Sequence, residues 1–145
     1  AITNQNNPFR DWTVKRPNLA KRNSRGIQGF YNGVWLRSTY EYIFAKWLDR
    51  TNQVWKYEET QIPTPFGGYR PDFFIYKDET LVLIVEIKGV WFNTSEDRLK
   101  KTKFIQDSMS VPVSIVTDVT PFIEFGSNYS KEKQQWKAIS NQSKL

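Results

Sequence analysis

The feature that most constrains this chain is an unbroken apolar run, Leu81-Val82-Leu83-Ile84-Val85, which leads directly into Glu86-Ile87-Lys88-Gly89. Side chains alternate faces along a strand, so a run without polar alternation is apolar on both faces. Such a strand needs cover on both sides and belongs in the middle of a sheet. Thr80 to Lys88 is therefore expected to be a central strand, and Gly89 ends it. Tyr69 to Tyr76 is a second strand, and the polar turn Lys77-Asp78-Glu79 joins the two as a hairpin.

The surrounding elements follow from spacing. Leu36, Tyr40, Ile43, Phe44 and Trp47 recur every three or four residues, which predicts a helix from Trp35 to about Arg50. Val54 to Ile62 is rich in aromatic and branched residues and reads as a strand, closed by Pro63 and Pro65; Phe66-Gly67-Gly68 is a turn signal. Ser95 to about Met109 is a predicted helix. Thr94 or Ser95 can cap it, with Glu96 and Asp97 in the first turn and Leu99 and Ile105 facing inward. Val111 to Thr117 follows directly as a buried strand, as in a crossover to a parallel neighbour. The tail after Gly126 is polar, with a short helix expected around Lys131–Ile139. The expected fold class is α/β (α+β), a mixed central sheet flanked by helices.

Composition narrows the chemistry. The chain has 145 residues, which suits one domain, and 16% are aromatic, enough for a real core. There is no Cys and no His. Disulfides, thiolate zinc sites, imidazole ligands and His-dependent triads are excluded. What remains is carboxylate, Lys, Arg, Tyr and hydroxyl chemistry, with a hard metal held by oxygen as an option. No apolar stretch reaches the ~18 residues of a membrane span, and no apolar signal-peptide core is visible.

The net charge of +6 is uneven. Residues 1–50 carry nine Lys/Arg against three Asp/Glu, and the remainder carries twelve of each. Residues 1–30 form a basic, Asn-rich segment without helical or strand period, with Arg10, Lys15, Arg16, Lys21, Arg22 and Arg25 set among polar residues and with Trp12 and Phe30 available to pin its ends. It fits either a phosphate-binding arm or a solubility tail.

The sharpest local signal is Arg70-Pro71-Asp72 followed by Glu86-Ile87-Lys88. Glu86 and Lys88 share one strand face, Ile87 points into the packing, and the hairpin brings Asp72 roughly opposite Glu86. Two carboxylates and an ammonium then converge at the edge of a buried sheet. Burying two anions is unfavourable without cations. Lys88 supplies one, and a divalent ion with oxygen ligands, Mg²⁺ or Mn²⁺, would supply the rest. Such an ion acidifies water and stabilises charge on a phosphate, and a nearby Lys can position or deprotonate that water. An isolated E-x-K is usually a surface ion pair. The apolar central strand, the Pro-Asp on the preceding strand and the Gly after the Lys, which leaves room for close approach, set this one apart.

Asp72-x13-Glu86-x-Lys88 resembles the signature of the PD-(D/E)xK nuclease superfamily, and the order helix, strand, hairpin, helix, strand is similar to that restriction-endonuclease-like fold. The segments Arg37-Ser38-x-x-Glu41, Trp55-Lys56-Tyr57-Glu58, Tyr69-Arg70-Pro71-Asp72-Phe73 and Val85-Glu86-Ile87-Lys88-Gly89 are similar to a subgroup that includes transposase end-cleaving subunits and phage or intron-borne endonucleases. The resemblance covers about residues 31–120. It implies a Mg²⁺-dependent endodeoxyribonuclease, with Mn²⁺ as a substitute. Asp72, Glu86 and the Ile87 carbonyl would ligate the metal, Lys88 would hold or activate the attacking water, and Glu41 would complete the site. Glu58 and Glu59 are rival carboxylates on a nearby strand, and an ordinary surface position is the alternative for Glu41.

The expected organisation is a basic arm at 1–30, a nuclease core at 31–125 and a tail at 126–145. DNA is the expected partner. Arg37 and the six basic residues of the arm are candidate phosphate contacts. Lys100, Lys101 and Lys103 fit either phosphate contact or a solvated helix face. Trp91 and Phe92 fit either a wedge against bases or closure of the core. A phage or mobile-element endonuclease is the favoured role. A junction-resolving or restriction-type enzyme and a non-cleaving nucleic-acid-binding module are the alternatives. Cutting both strands with one site per chain calls for a homodimer or two successive events. The expected location is the cytoplasm, the host's if the chain is phage-encoded.

Overall fold

The computed structural model describes residues 26–89 and 93–143. These divide into two compact units, one spanning Gln53–Asp118 and the other residues 26–52 together with 119–143.

The Gln53–Asp118 unit holds a four-stranded sheet in the order β3-β4-β5-β6. Its strands are β3 (Val54–Tyr57), β4 (Phe73–Lys77), β5 (Thr80–Ile87) and β6 (Val113–Val116), and helix α2 (Glu96–Met109) lies between β5 and β6 in the chain. Strands β3, β4 and β5 are antiparallel, whereas β6 runs parallel to β5, with Glu86 in register with Ile115. The predicted crossover is therefore present, and the sheet is mixed. Ile84, Val85, Glu86 and Ile87 are all buried, as a strand covered on both faces requires, but the first half of the run is not covered: Val82 is 39% exposed and Leu81 and Leu83 are half-buried. One face packs Phe74, Ile84 and Tyr69 against Ile105 and Val111. On the other, Trp55 and Tyr57 each lie 5.4 Å from the Phe73 ring.

The second unit contains a hairpin, β1 (Gly29–Tyr31) and β2 (Val34–Leu36), with helix α1 (Thr39–Arg50), a 3-10 turn at Thr120–Phe122 and helix α3 (Tyr129–Gln142). Trp136 is fully buried, stacks on Tyr42 at 4.8 Å and donates from its indole nitrogen to the Ile27 carbonyl at 2.6 Å. Phe122 packs edge-on against Phe44 and Trp47 at 5.0 and 4.9 Å. Lys46 reaches the buried Glu132 at 2.9 Å.

Several features differ from the sequence expectation. The first helix begins at Thr39, because Ser38 caps it by accepting from the Glu41 amide at 3.1 Å. Trp35 and Leu36 belong instead to a hairpin whose loop is Asn32-Gly33, both at positive φ (49° and 81°), the pairing a two-residue turn needs. Strand β3 stops at Tyr57, since Glu58 takes a left-handed φ of 47°; Ile62 rejoins only as an isolated bridge to Tyr69. Leu99 is 55% exposed rather than inward, because it lies off the stripe traced by Arg98, Thr102 and Ile105. The tail helix runs over the fourteen residues Tyr129–Gln142, longer than the expected Lys131–Ile139, and is capped by Asn128.

Three helices, a four-stranded mixed sheet and a two-stranded sheet among the described residues are consistent with a restriction-endonuclease-like α/β fold. No helix among the described residues is long and apolar enough to cross a membrane.

Candidate active site

Glu86 sits in the last turn of alternation of β5 and is only 4% exposed. A carboxylate so placed needs charged or hydrogen-bonding partners. It has three. The Tyr69 hydroxyl donates to Oε1 at 2.6 Å. Arg98, from the first turn of α2, places one nitrogen, Nη1, between both oxygens, at 2.5 and 2.6 Å. Lys88 Nζ lies 3.1 Å from Oε2. Charge-assisted bonds of this length are about twice as strong as neutral ones. Burial, then the bond to Glu86 and its negative charge, push the Tyr69 phenol well above the ordinary tyrosine range, opposed only in part by Arg98.

Asp72 has different company. Phe73 pairs with Val85, so Asp72 falls opposite Glu86 at the end of the hairpin. Its Oδ2 accepts the Ile87 amide at 2.7 Å, and its carbonyl accepts the Glu58 amide at 2.8 Å. A side chain thus takes up the Ile87 amide beyond the last registered β4–β5 pair and fixes the carboxylate beside the strand. On the other side of β5, the Lys88 amide bonds Val116 at 2.8 Å, holding the strand end between two neighbours. Ile87 is buried, as the alternation predicts.

A pocket of about 300 Å³ opens beside Glu86 and Lys88. Four of its lining side chains are cationic: Arg70, Lys88, Arg98 and Lys101. Glu86 and Asp97 are the acidic ones, and Lys101 is paired with Asp97 at 3.1 Å. A Cβ on Gly89 would meet no atom of the described residues within 4 Å.

Asp72, Glu86 and Lys88 are thus brought together in the Gln53–Asp118 unit. Among the described residues no group of three or more carboxylates converges on one point. The Asp72 and Glu86 pair is a hard-oxygen donor set that fits Mg²⁺ or Mn²⁺, for which one or two protein carboxylates are usual. Glu41 is buried on α1 of the other unit, where its Oε1 accepts the Arg37 amide at 2.7 Å. Glu59 is taken up by Lys56 at 3.0 Å and by the Tyr76 hydroxyl. Lys100 and Lys103 form exposed i,i+4 pairs with Glu96 and Asp107, leaving Lys101 as the member of that trio at the pocket. Arg10, Lys15, Arg16, Lys21, Arg22 and Arg25, together with Trp12, Trp91 and Phe92, lie outside the described residues.

Sequence reasoning missed Tyr69 and Arg98. A signal for Arg98 was present. A cation in the first turn of a helix opposes the helix dipole, so a first-turn Arg implies a nearby anion that outweighs the cost. Tyr69 carried none beyond its place three residues before Asp72.

A mixed sheet that carries a carboxylate pair and a Lys at the end of a buried strand, beside a cationic pocket, defines a nuclease of the restriction-endonuclease-like class. An endonuclease-domain family model matches residues 28–109, more than half of the chain, and the chain belongs to that family. It is therefore a nuclease whose substrate is nucleic acid. No curated protein and no solved structure matches the chain.

Proposed function

We propose that the chain is a divalent-metal-dependent DNA endonuclease of the PD-(D/E)xK type. The observation that carries this reading is the juxtaposition of Asp72, Glu86 and Lys88 at one strand end, with Lys88 Nζ 3.1 Å from the Glu86 carboxylate. Asp72, Glu86 and the Ile87 carbonyl would hold Mg²⁺, with Mn²⁺ as a substitute. The ion supplies acidification of water and charge neutralisation at phosphorus.

The chain's own residues do the rest. Lys88 orients the attacking water and stabilises the charge that develops as the water adds and the P–O bond breaks. Arg70 and Lys101 attract the phosphate backbone into the pocket, giving affinity without sequence choice. The basic segment at 1–30 and Arg37 add further phosphate contacts. A phage or mobile-element role is favoured by the subgroup resemblance, and a homodimer is the simplest way for such a chain to cut both strands.

The test is incubation of plasmid, duplex and branched DNA with Mg²⁺, Mn²⁺ or EDTA. Metal-dependent cutting that Asp72→Ala and Lys88→Ala abolish while binding persists supports the reading. Normal cutting by both variants refutes it, and tight binding without cutting on every substrate points to a non-cleaving module.

A further inference from the structure

Arg98 has no part in the family signature, yet it makes the shortest contact to Glu86, at 2.5 Å, and a second at 2.6 Å. One guanidinium nitrogen sits between both carboxylate oxygens. That is the position from which a cation claims the whole charge of a carboxylate. Glu86 is 4% exposed, so its charge must be compensated at all times. Tyr69 offers Oε1 a neutral donor, and Lys88 approaches only Oε2. Arg98 is the partner that spans the group.

We infer that Arg98 is the resting counter-ion of Glu86, and that it competes with the divalent ion for the same two oxygens. The inference rests on the metal-dependent reading above. A metal ion on the carboxylate edge that Nη1 occupies would meet the guanidinium charge at contact distance, so loading there requires Arg98 to withdraw. The side chain is positioned for that. It projects from the first turn of α2, its side chain is 26% exposed, and it lines the pocket where Arg70, Lys88 and Lys101 already gather positive charge. Withdrawal moves the guanidinium towards the space the phosphate enters. Metal affinity without nucleic acid is thereby held low, while the buried carboxylate is never left bare. Arg98 acts through Glu86 and is a positioning residue.

The experiment is calorimetric titration of MnCl₂ into the full chain without nucleic acid, for the wild type, Arg98→Ala and Arg98→Gln, with Glu86→Gln/Arg98→Ala as control. Competition predicts Mn²⁺ binding at least ten-fold tighter in both Arg98 variants, lost again in the double variant. Thermal denaturation gives a second readout: the Arg98 variants melt below the wild type in EDTA and regain most of the difference in Mn²⁺. The Gln variant keeps the side-chain bulk should the Ala variant fail to fold. Equal or weaker Mn²⁺ binding in the Arg98 variants overturns the competition while leaving the metal site standing. No Mn²⁺ binding by any variant overturns the metal-dependent reading and this inference with it.

Discussion

Replacing Glu86 by Gln separates an anion that is already compensated from one that is not. The substitution keeps the shape of the side chain and removes one charge. In the folded chain Oε1 accepts from Tyr69 and Arg98, and Oε2 accepts from Arg98 with Lys88 nearby. Gln retains one oxygen for the first pair, but its amide NH₂ would face Arg98 and Lys88, donor against donor. Breaking a fully buried ion pair by removing one member costs about 3–5 kcal/mol. Here the orphaned cations are 26% and 30% exposed, so water recovers part of that. The expected loss is about 2 kcal/mol, which for a chain of this length lowers Tm by roughly 4–8 °C. The assay is thermal denaturation by circular dichroism or calorimetry in EDTA, at neutral pH and low salt. An unchanged or higher Tm would refute the reasoning. It would mean that Glu86 is a strained anion relieved by neutralisation, and that Arg98 and Lys88 do not hold it.

Three other outcomes follow from the geometry. Burial, reinforced by donated bonds to Asp49, Glu86 and Glu59, raises the phenol pKa values of Tyr31, Tyr69 and Tyr76. The folded chain holds these protons more tightly than the unfolded one, so stability is unaffected below about pH 10 and falls as pH rises above it. Urea midpoints between pH 8 and 11 check this, and Tyr69→Phe should flatten the decline. Gly29→Ala would bring a Cβ to 2.8 Å from the Ser140 Cα of α3, a backbone atom that cannot step aside. It should destabilise by about 1–3 kcal/mol, as overpacking does, whereas Gly89→Ala, whose Cβ meets no atom of the described residues within 4 Å, should leave the denaturation midpoint unchanged. Trp136→Phe removes the indole bond to Ile27 and should cost about 1–2 kcal/mol by the same measure, from the unsatisfied carbonyl.

What could be read from the sequence divides along physical lines. The central strand, its hairpin partner and the crossover to a parallel neighbour were legible because alternation and apolar runs are local signals. The pairing of Asp72 with Glu86 followed from them, since a hairpin fixes register. The boundaries that moved did so where one residue's hydrogen bond or φ outweighed periodicity, as at Ser38, Glu58 and the Asn32-Gly33 loop. Arg98 was not legible by spacing, because its partner lies twelve positions back across a strand-to-helix connection. That difference bears on function. The residues a signature names, Asp72, Glu86 and Lys88, are set by the strand and its register. The residues that decide how Glu86 is held, Tyr69 and Arg98, come from a loop and a helix start that pattern reasoning does not constrain. The two carboxylates are therefore not equivalent. Asp72 is fixed by the Ile87 backbone amide, whereas Glu86 is held by Arg98 and Lys88, cations that the proposed metal ion would have to replace. In the proposed metal-dependent reaction, Glu86 is where loading of the ion would meet resistance.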